Sequence, residues 1–267
     1  MNRPESWKVL NEGDEGAVIL AVDYNRTGRP EAGFSELVPK LDKSWAVWET
    51  LPPTSGEPAG TTGDRYVDRW IGECRTIGRP IRAVLGYCAG SVFASVMADR
   101  IGEWQGEPPV IIVFDPEMPV ASGLYDDFIR ATEQFESFLS AEYLARARQE
   151  GADAMLEHGD DLEMLGPIFV RIFGESAEIA FRRIGVVGDF CEQLVGAFET
   201  YVSYLVAAWR LELATATATA ITSSAAGNDA GLAVKEIRFD IDQKDLLRDA
   251  RVALAVMDVL GGAPPVA

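Results

Sequence analysis

The sequence predicts an α/β protein: a mostly parallel sheet flanked by helices, interrupted by a long helical insertion. Three observations predict it. Ala17–Val22 and Val110–Phe114 are continuous apolar runs, which fit strands buried on both faces better than strands with one wet face. A third apolar run around Ile81–Leu85 leads through Gly86–Gly90 into a helical pattern carrying Val92, Phe93, Val96 and Met97. From about Gly123 to Leu213 the periodicity is helical, with no convincing strand. With 267 residues, 48% of them hydrophobic, the chain can build one sizeable core. The expectation is a single domain over 1–267, with residues 123–213 inserted as a helical lid.

Taken in order, the apolar run at 17–22 ends in a polar turn at Asp23–Gly28. Phe34 and Leu37 open a short helix that Pro39 limits, and Trp45–Trp48 reads as a second strand stopped by Pro52-Pro53. Thr54–Gly63 is rich in Gly, Pro and Thr and reads as loop. Asp64 is the expected N-cap of a helix through Thr76, with Tyr66, Val67, Trp70, Ile71 and Cys74 on one face. That spacing makes Cys74 a packing residue. Phe128, Ile129, Phe135 and Leu139 mark one amphipathic piece of the insertion, and Leu194, Phe198, Val202 and Leu205 another. Beyond it, Thr215–Ile221 alternates Thr and Ala as a strand, Asn228–Gly231 is a turn, and Glu236–Ile241 alternates like an edge strand. A helix from about Leu246 to Leu260 closes the pattern.

The formal net charge is −18, from 42 acidic and 24 basic residues. Such a surface repels the phosphate backbone of nucleic acids and anionic membranes, so neither is an expected partner. Cys74, Cys88 and Cys191 are odd in number and widely spaced, with no metal-ligand spacing, which favours a reducing, cytoplasmic setting. The N-terminal residues have no apolar signal core, and no apolar run is long enough to span a bilayer.

The stretch that carries chemistry is Gly86-Tyr87-Cys88-Ala89-Gly90. A G-x-nucleophile-x-G string between a strand and a helix is the pattern of a nucleophile elbow, a strained turn that holds the middle side chain out at the helix N-terminus. Glycine two residues either side removes Cβ atoms that would clash there. Here the nucleophile is a cysteine, and the helix dipole and free amides should favour its thiolate. The Ala89 amide would supply one oxyanion-hole donor.

With the elbow, an acid-bearing strand end at Asp115, a helical insertion and a final strand-turn-helix in this order, the chain resembles the α/β-hydrolase thioesterases of polyketide and nonribosomal peptide synthesis. The resemblance runs from about Ala17 to Leu260 and rests on Phe34–Leu37, Trp45–Pro53, Gly86–Gly90 and Asp242–Leu247. It implies an α/β-hydrolase fold, and release or transfer of an acyl chain held as a thioester on the phosphopantetheine of a carrier protein or synthase. It implies no cofactor held by the chain itself. The partners implied are an acyl or peptidyl carrier protein and a small acyl substrate. Cys88 is then the nucleophile, and Ala89 and Tyr24 are the oxyanion-hole positions. The acid is Asp115, or alternatively Asp229 after the later strand. The family's last segment normally carries histidine as general base; in this chain the slot holds Gln243. The single histidine, His158, lies in the insertion and is the alternative base.

Glutamine cannot take and return a proton near neutral pH, so the Cys–His–Asp relay is incomplete. A thiol loses less than a hydroxyl would, because it ionises in part and is intrinsically nucleophilic. Thiol exchange with an incoming thioester can proceed on the oxyanion hole alone, whereas water attack needs a proton acceptor. The sequence therefore leans towards acyl transfer, condensation or cyclisation through acyl-Cys88, and away from efficient hydrolysis. The competing reading is a catalytically degenerate relative that binds an acyl chain, a carrier or a synthase. An esterase or peptidase of the same fold also requires the missing base.

Overall fold

The first strand is one that the sequence pattern does not announce. In the computed structural model, which describes residues 5–14, 16–24, 29–52, 62–185, 189–212, 217–225 and 233–261, β1 (Trp7–Asn11) pairs antiparallel with β3 (Ala46–Thr50), Trp7 opposite Thr50. Between them lie β2 (Val18–Val22) and the short helix α1 (Phe34–Leu37). Pro39 sits in the 3₁₀ turn Val38–Lys40 that ends this piece, as its missing N–H requires. Then follow α2 (Gly63–Ile77), β4 (Ile81–Tyr87), α3 (Gly90–Gln105) and β5 (Val110–Phe114). Four helices come next: α4 (Ala121–Glu133), α5 (Ala141–His158), α6 (Leu162–Ile184) and α7 (Asp189–Trp209). The chain returns through β6 (Ala218–Thr222), β7 (Ala233–Arg238), a 3₁₀ turn at Gln243–Arg248 and α8 (Ala250–Gly261).

The strands form one seven-stranded sheet in the order β1-β3-β2-β4-β5-β6-β7, parallel except for β1. β2 is buried along its whole length, as its unbroken apolar run predicts. One face packs Phe34, Leu37, Val47, Leu85, Phe114, Leu246 and Val256 into a continuous core. Elsewhere in the same unit Trp70 meets Phe93 edge-on, ring centroids 5.5 Å apart, a geometry that contributes about 0.5–1.5 kcal/mol beyond area burial.

Four details differ from the sequence expectation, the first being the edge strand, read at Glu236–Ile241 and running over Ala233–Arg238 as β7. The N-cap of α2 is Thr62, whose side chain accepts from the Arg65 amide, because the extended backbone lies there and Asp64 is already in the first turn. The final helix begins at Ala250; Leu246 and Leu247 are buried from the 3₁₀ turn instead. The expected strand at Thr215–Ile221 runs over Ala218–Thr222, and residues 213–216 and the turn at 228–231 lie outside the described residues.

By contact density the chain divides into two compact units. The α/β unit comprises Met1–Pro52, Thr62–Met118 and Leu211–Ala267; Pro119–Arg210 belong to the second. The second unit is helical throughout its described elements. Ser140 and Asp161 cap α5 and α6 with their side chains. Its core is aromatic: Phe128 stacks on Phe169 at 4.9 Å and Phe173 lies 4.5 Å from Phe198. A Cβ at Gly166 of α6 would come 2.8 Å from the Val202 side chain of α7, so this close helix approach requires glycine. No helix among the described residues is long and apolar enough to cross a membrane.

Candidate active site

Cys88 lies between β4 and α3 in a left-handed conformation, φ 50°. For a residue with a Cβ such a turn is strained by about 1–3 kcal/mol and persists where its surroundings hold it. The holding contacts can be named. The Cys88 amide continues the β4–β5 ladder by donating to the Phe114 carbonyl at 2.9 Å, and the Cys88 carbonyl accepts from Ser91 at 3.0 Å. A Cβ at Gly86 would meet the Ser91 Cα at 2.6 Å. The first glycine of the motif is thus required by the approach of the helix to the strand.

The cysteine is half-buried, and its thiol donates to Glu117 Oε2 at 3.5 Å. Burial pushes the thiol up from its ordinary range, and the Glu117 carboxylate adds to the rise, while the Ala89 amide pulls against it. This is the opposite direction to the one the helix N-terminus alone predicts. Desolvation and a neighbouring anion outweigh the dipole. Glu117 is the site residue that the sequence reading missed. It stands two positions past Asp115, across Pro116, and its amide reaches back to the Cys88 carbonyl at 3.5 Å.

On the next strand, Asp115 is also left-handed, φ 39°, and 4% exposed. Its amide donates to Ile221, and its Oδ1 accepts from the Ser223 amide at 2.7 Å, so the acid is fixed by the end of β6. Its Oδ2 is buried with no hydrogen-bond partner among the described residues. Burial raises this carboxyl, against the pull of the Ser223 hydrogen bonds and the Arg238 charge. Cys88 and Asp115 thus occupy adjacent strand ends, but no hydrogen bond joins them among the described residues.

The other predicted positions fall as follows. Gln243 opens the 3₁₀ turn after β7 and is half-buried; no hydrogen bond among the described residues joins its side chain to Cys88 or Asp115. The Tyr24 amide is directed to the Asp23 carboxylate. Asp229 lies outside the described residues. His158 ends α5, in the helical unit, with Glu157 at 4.0 Å. Cys74 is buried in α2 and its thiol is pushed up by burial to about 12, as expected of a packing residue.

At the end of β2, which flanks β4 on its other side, Asp23 is held by Arg29 through two bonds of 2.8 and 2.5 Å. Burial works to lower the Arg29 guanidinium and Asp23 outweighs it. The guanidinium also lies 5.2 Å over the Tyr87 ring, next to Cys88.

The parallel sheet, the strand order and the strained turn after β4 define an α/β-hydrolase fold. No protein-family model matches the sequence, and no curated protein matches it. Solved structures do. The chain is similar to the NocB thioesterase domain, in covalent complex with a fluorophosphonate nocardicin G analogue, at 17% identity and TM-score 0.55, over 96% of this chain and 100% of that one. It is similar to the Vlm2 thioesterase domain that carries genetically encoded 2,3-diaminopropionic acid and a bound dodecadepsipeptide, at 13% identity and TM-score 0.53, over 96% and 98%. It also matches part of a four-domain nonribosomal peptide synthetase bound to AMP and glycine, at 15% identity and TM-score 0.60. That match takes in 98% of this chain but 20% of the synthetase, so the chain spans a fifth of that protein's length. At these identities the likeness is one of fold.

Proposed function

We propose that the chain is a thioesterase-like acyltransferase of natural-product assembly, in which Cys88 accepts an acyl group from a thioester and passes it to a nucleophile other than water. The observation that carries this reading is the left-handed Cys88 at the strand-to-helix turn, with the Ala89 amide facing its sulfur. The likeness to the NocB and Vlm2 thioesterase domains supports the class of chemistry. The acyl donor proposed is a phosphopantetheine thioester on a carrier protein or synthase. Asp115 is proposed as the acid and Gln243 as the residue in the histidine slot.

A second reading, a binding protein without turnover, is favoured by one observation: the Cys88 thiol is pushed up instead of down. A single experiment separates the two. The protein is incubated with an acyl N-acetylcysteamine thioester and its intact mass is followed, with peptide mapping. The enzyme reading expects one acyl adduct on Cys88, absent from Cys88→Ala while that variant keeps its fold. A native protein that stays unmodified by every thioester tried overturns it in favour of binding.

A further inference from the structure

The mechanism above lacks an acceptor for the proton of the incoming nucleophile. Gln243 cannot serve; the single histidine, His158, belongs to the helical unit, and the acid that touches the Cys88 sulfur is Glu117. Resting on the acyl-Cys88 reading, we propose that Glu117 is the catalytic base of the second half-reaction, accepting the proton of the nucleophile that attacks acyl-Cys88.

The argument is one of position. In the free enzyme the Cys88 thiol donates to Glu117 Oε2 at 3.5 Å. On acylation the acyl carbon's bond to the donor sulfur breaks, and the thiol proton leaves with the donor as its free thiol. The acyl carbon takes the proton's place on Cys88, so the carboxylate loses its hydrogen-bond donor and stands beside the sulfur, one bond from the carbonyl under attack. Its segment is tied to the elbow by the Glu117 amide on the Cys88 carbonyl and to β6 by the Asp115 amide on Ile221. Glu117 is exposed, so acceptors and solvent reach it.

The step balances. The nucleophile's lone pair forms a bond to the acyl carbon, its proton passes to Glu117 Oε2, and the carbon–sulfur bond breaks with its electrons on Cys88. The departing thiolate then takes the proton back from Glu117 and restores the starting hydrogen bond. In the first half-reaction the same carboxylate works the other way, because an anion beside a thiol opposes its ionisation. Among the described residues, the groups facing Cys88 are Glu117 from the segment after β5, Asp23 from the end of β2, and Tyr87 with Arg29 over its ring; the first turn of α3 carries no acid. Replacing Glu117 should therefore move the two halves in opposite directions, which a merely structural residue would not do.

Native protein, Glu117→Gln and Glu117→Asp are loaded with octanoyl N-acetylcysteamine. Loading and decay of the Cys88 adduct are followed by mass spectrometry between pH 6 and 9, with glycinamide as acceptor. Glu117→Gln should load at neutral pH at least as fast as native and lose its acyl group about 10²-fold more slowly, the usual size of a lost base. Compared at each pH, so that the ionisation of the glycinamide amine cancels, the deficit of Glu117→Gln should be largest at pH 6 and shrink towards pH 9, where hydroxide takes over as the proton acceptor. Glu117→Asp should recover part of the rate. Equal decay in native and Glu117→Gln overturns the base while leaving acyl-Cys88 standing, and so does slowing of both halves together. If native protein forms no adduct although iodoacetamide alkylates Cys88, the acyl-enzyme reading falls and the base falls with it.

Discussion

Asp23 and Asp115 are two buried carboxylates at the C-terminal ends of parallel strands, one on each side of the strand that carries Cys88. Burial raises both. They differ in what answers the buried charge. Asp23 has both oxygens on the Arg29 guanidinium, a bidentate pair whose side chains are 3% and 10% exposed. Asp115 is held by Ser223, whose amide donates to Oδ1; its Oδ2 has no hydrogen-bond partner among the described residues, and its backbone is left-handed. A closed pair is what fixing Arg29 to the end of β2 requires. A strained acid with a free oxygen is what a site awaiting a partner group has, and it is the difference in pairing, not in burial, that separates the two.

The largest effect expected from this difference is at Arg29. Arg29→Met would strand the Asp23 carboxylate in a buried place, at a cost of about 3–5 kcal/mol in stability by urea denaturation. The double variant Asp23→Asn with Arg29→Met should recover most of that loss, since no charge is then left unpaired. A small effect of Arg29→Met alone would make Asp23 as open as Asp115 and erase the contrast.

Between the two acids, the position of Cys88 depends on the helix meeting the strand at Gly86. A Cβ there would press on backbone, the Ser91 Cα at 2.6 Å and its nitrogen at 2.9 Å, which cannot swing aside as a side chain could. Gly86→Ala should destabilise by about 1–3 kcal/mol, the range of overpacking. It should also lower Cys88 labelling by iodoacetamide per folded molecule, because the elbow must shift. Unchanged labelling and stability would mean the turn is not held from beneath.

These contacts mark where the sequence could be read and where it could not. Val18–Val22 announces itself because a strand buried on both faces must be apolar at every position. The elbow was legible because Gly86 and the strand-turn-helix rhythm are local demands. β1 was not, since Lys8 and Asn11 break its pattern and its pairing depends on β3, some forty residues away. At α2 two cap-competent residues, Thr62 and Asp64, stand close together, and the backbone path chose the first. Glu117 was invisible for the same reason as β1. It is one of 42 acidic residues, and only the pairing of β4 with β5 brings it to the sulfur. The thiol's upward shift follows from that meeting, so it too was beyond a local reading.

The smallest expected effect is at Asp115, and its sign is the informative part. Burial raises this carboxyl above its unfolded value, so the folded chain holds the proton more tightly than the unfolded chain does. Stability from this group is therefore full at pH below the unfolded value near 4 and is lost as pH rises through the folded one. Above the folded value the ionised Asp115 is a net cost. Asp115→Asn keeps an oxygen for the Ser223 amide and removes the charge, so it should stabilise the fold at pH 7 by on the order of 1 kcal/mol, the size of a surplus desolvation cost. The advantage should shrink as pH falls through the folded value, where the native carboxyl takes up its proton and is uncharged too. Urea denaturation of both proteins at pH 7 and pH 4 measures the difference. A destabilised Asp115→Asn at pH 7 would mean that the second oxygen's charge is answered as fully as that of Asp23, and the two strand ends would then be alike.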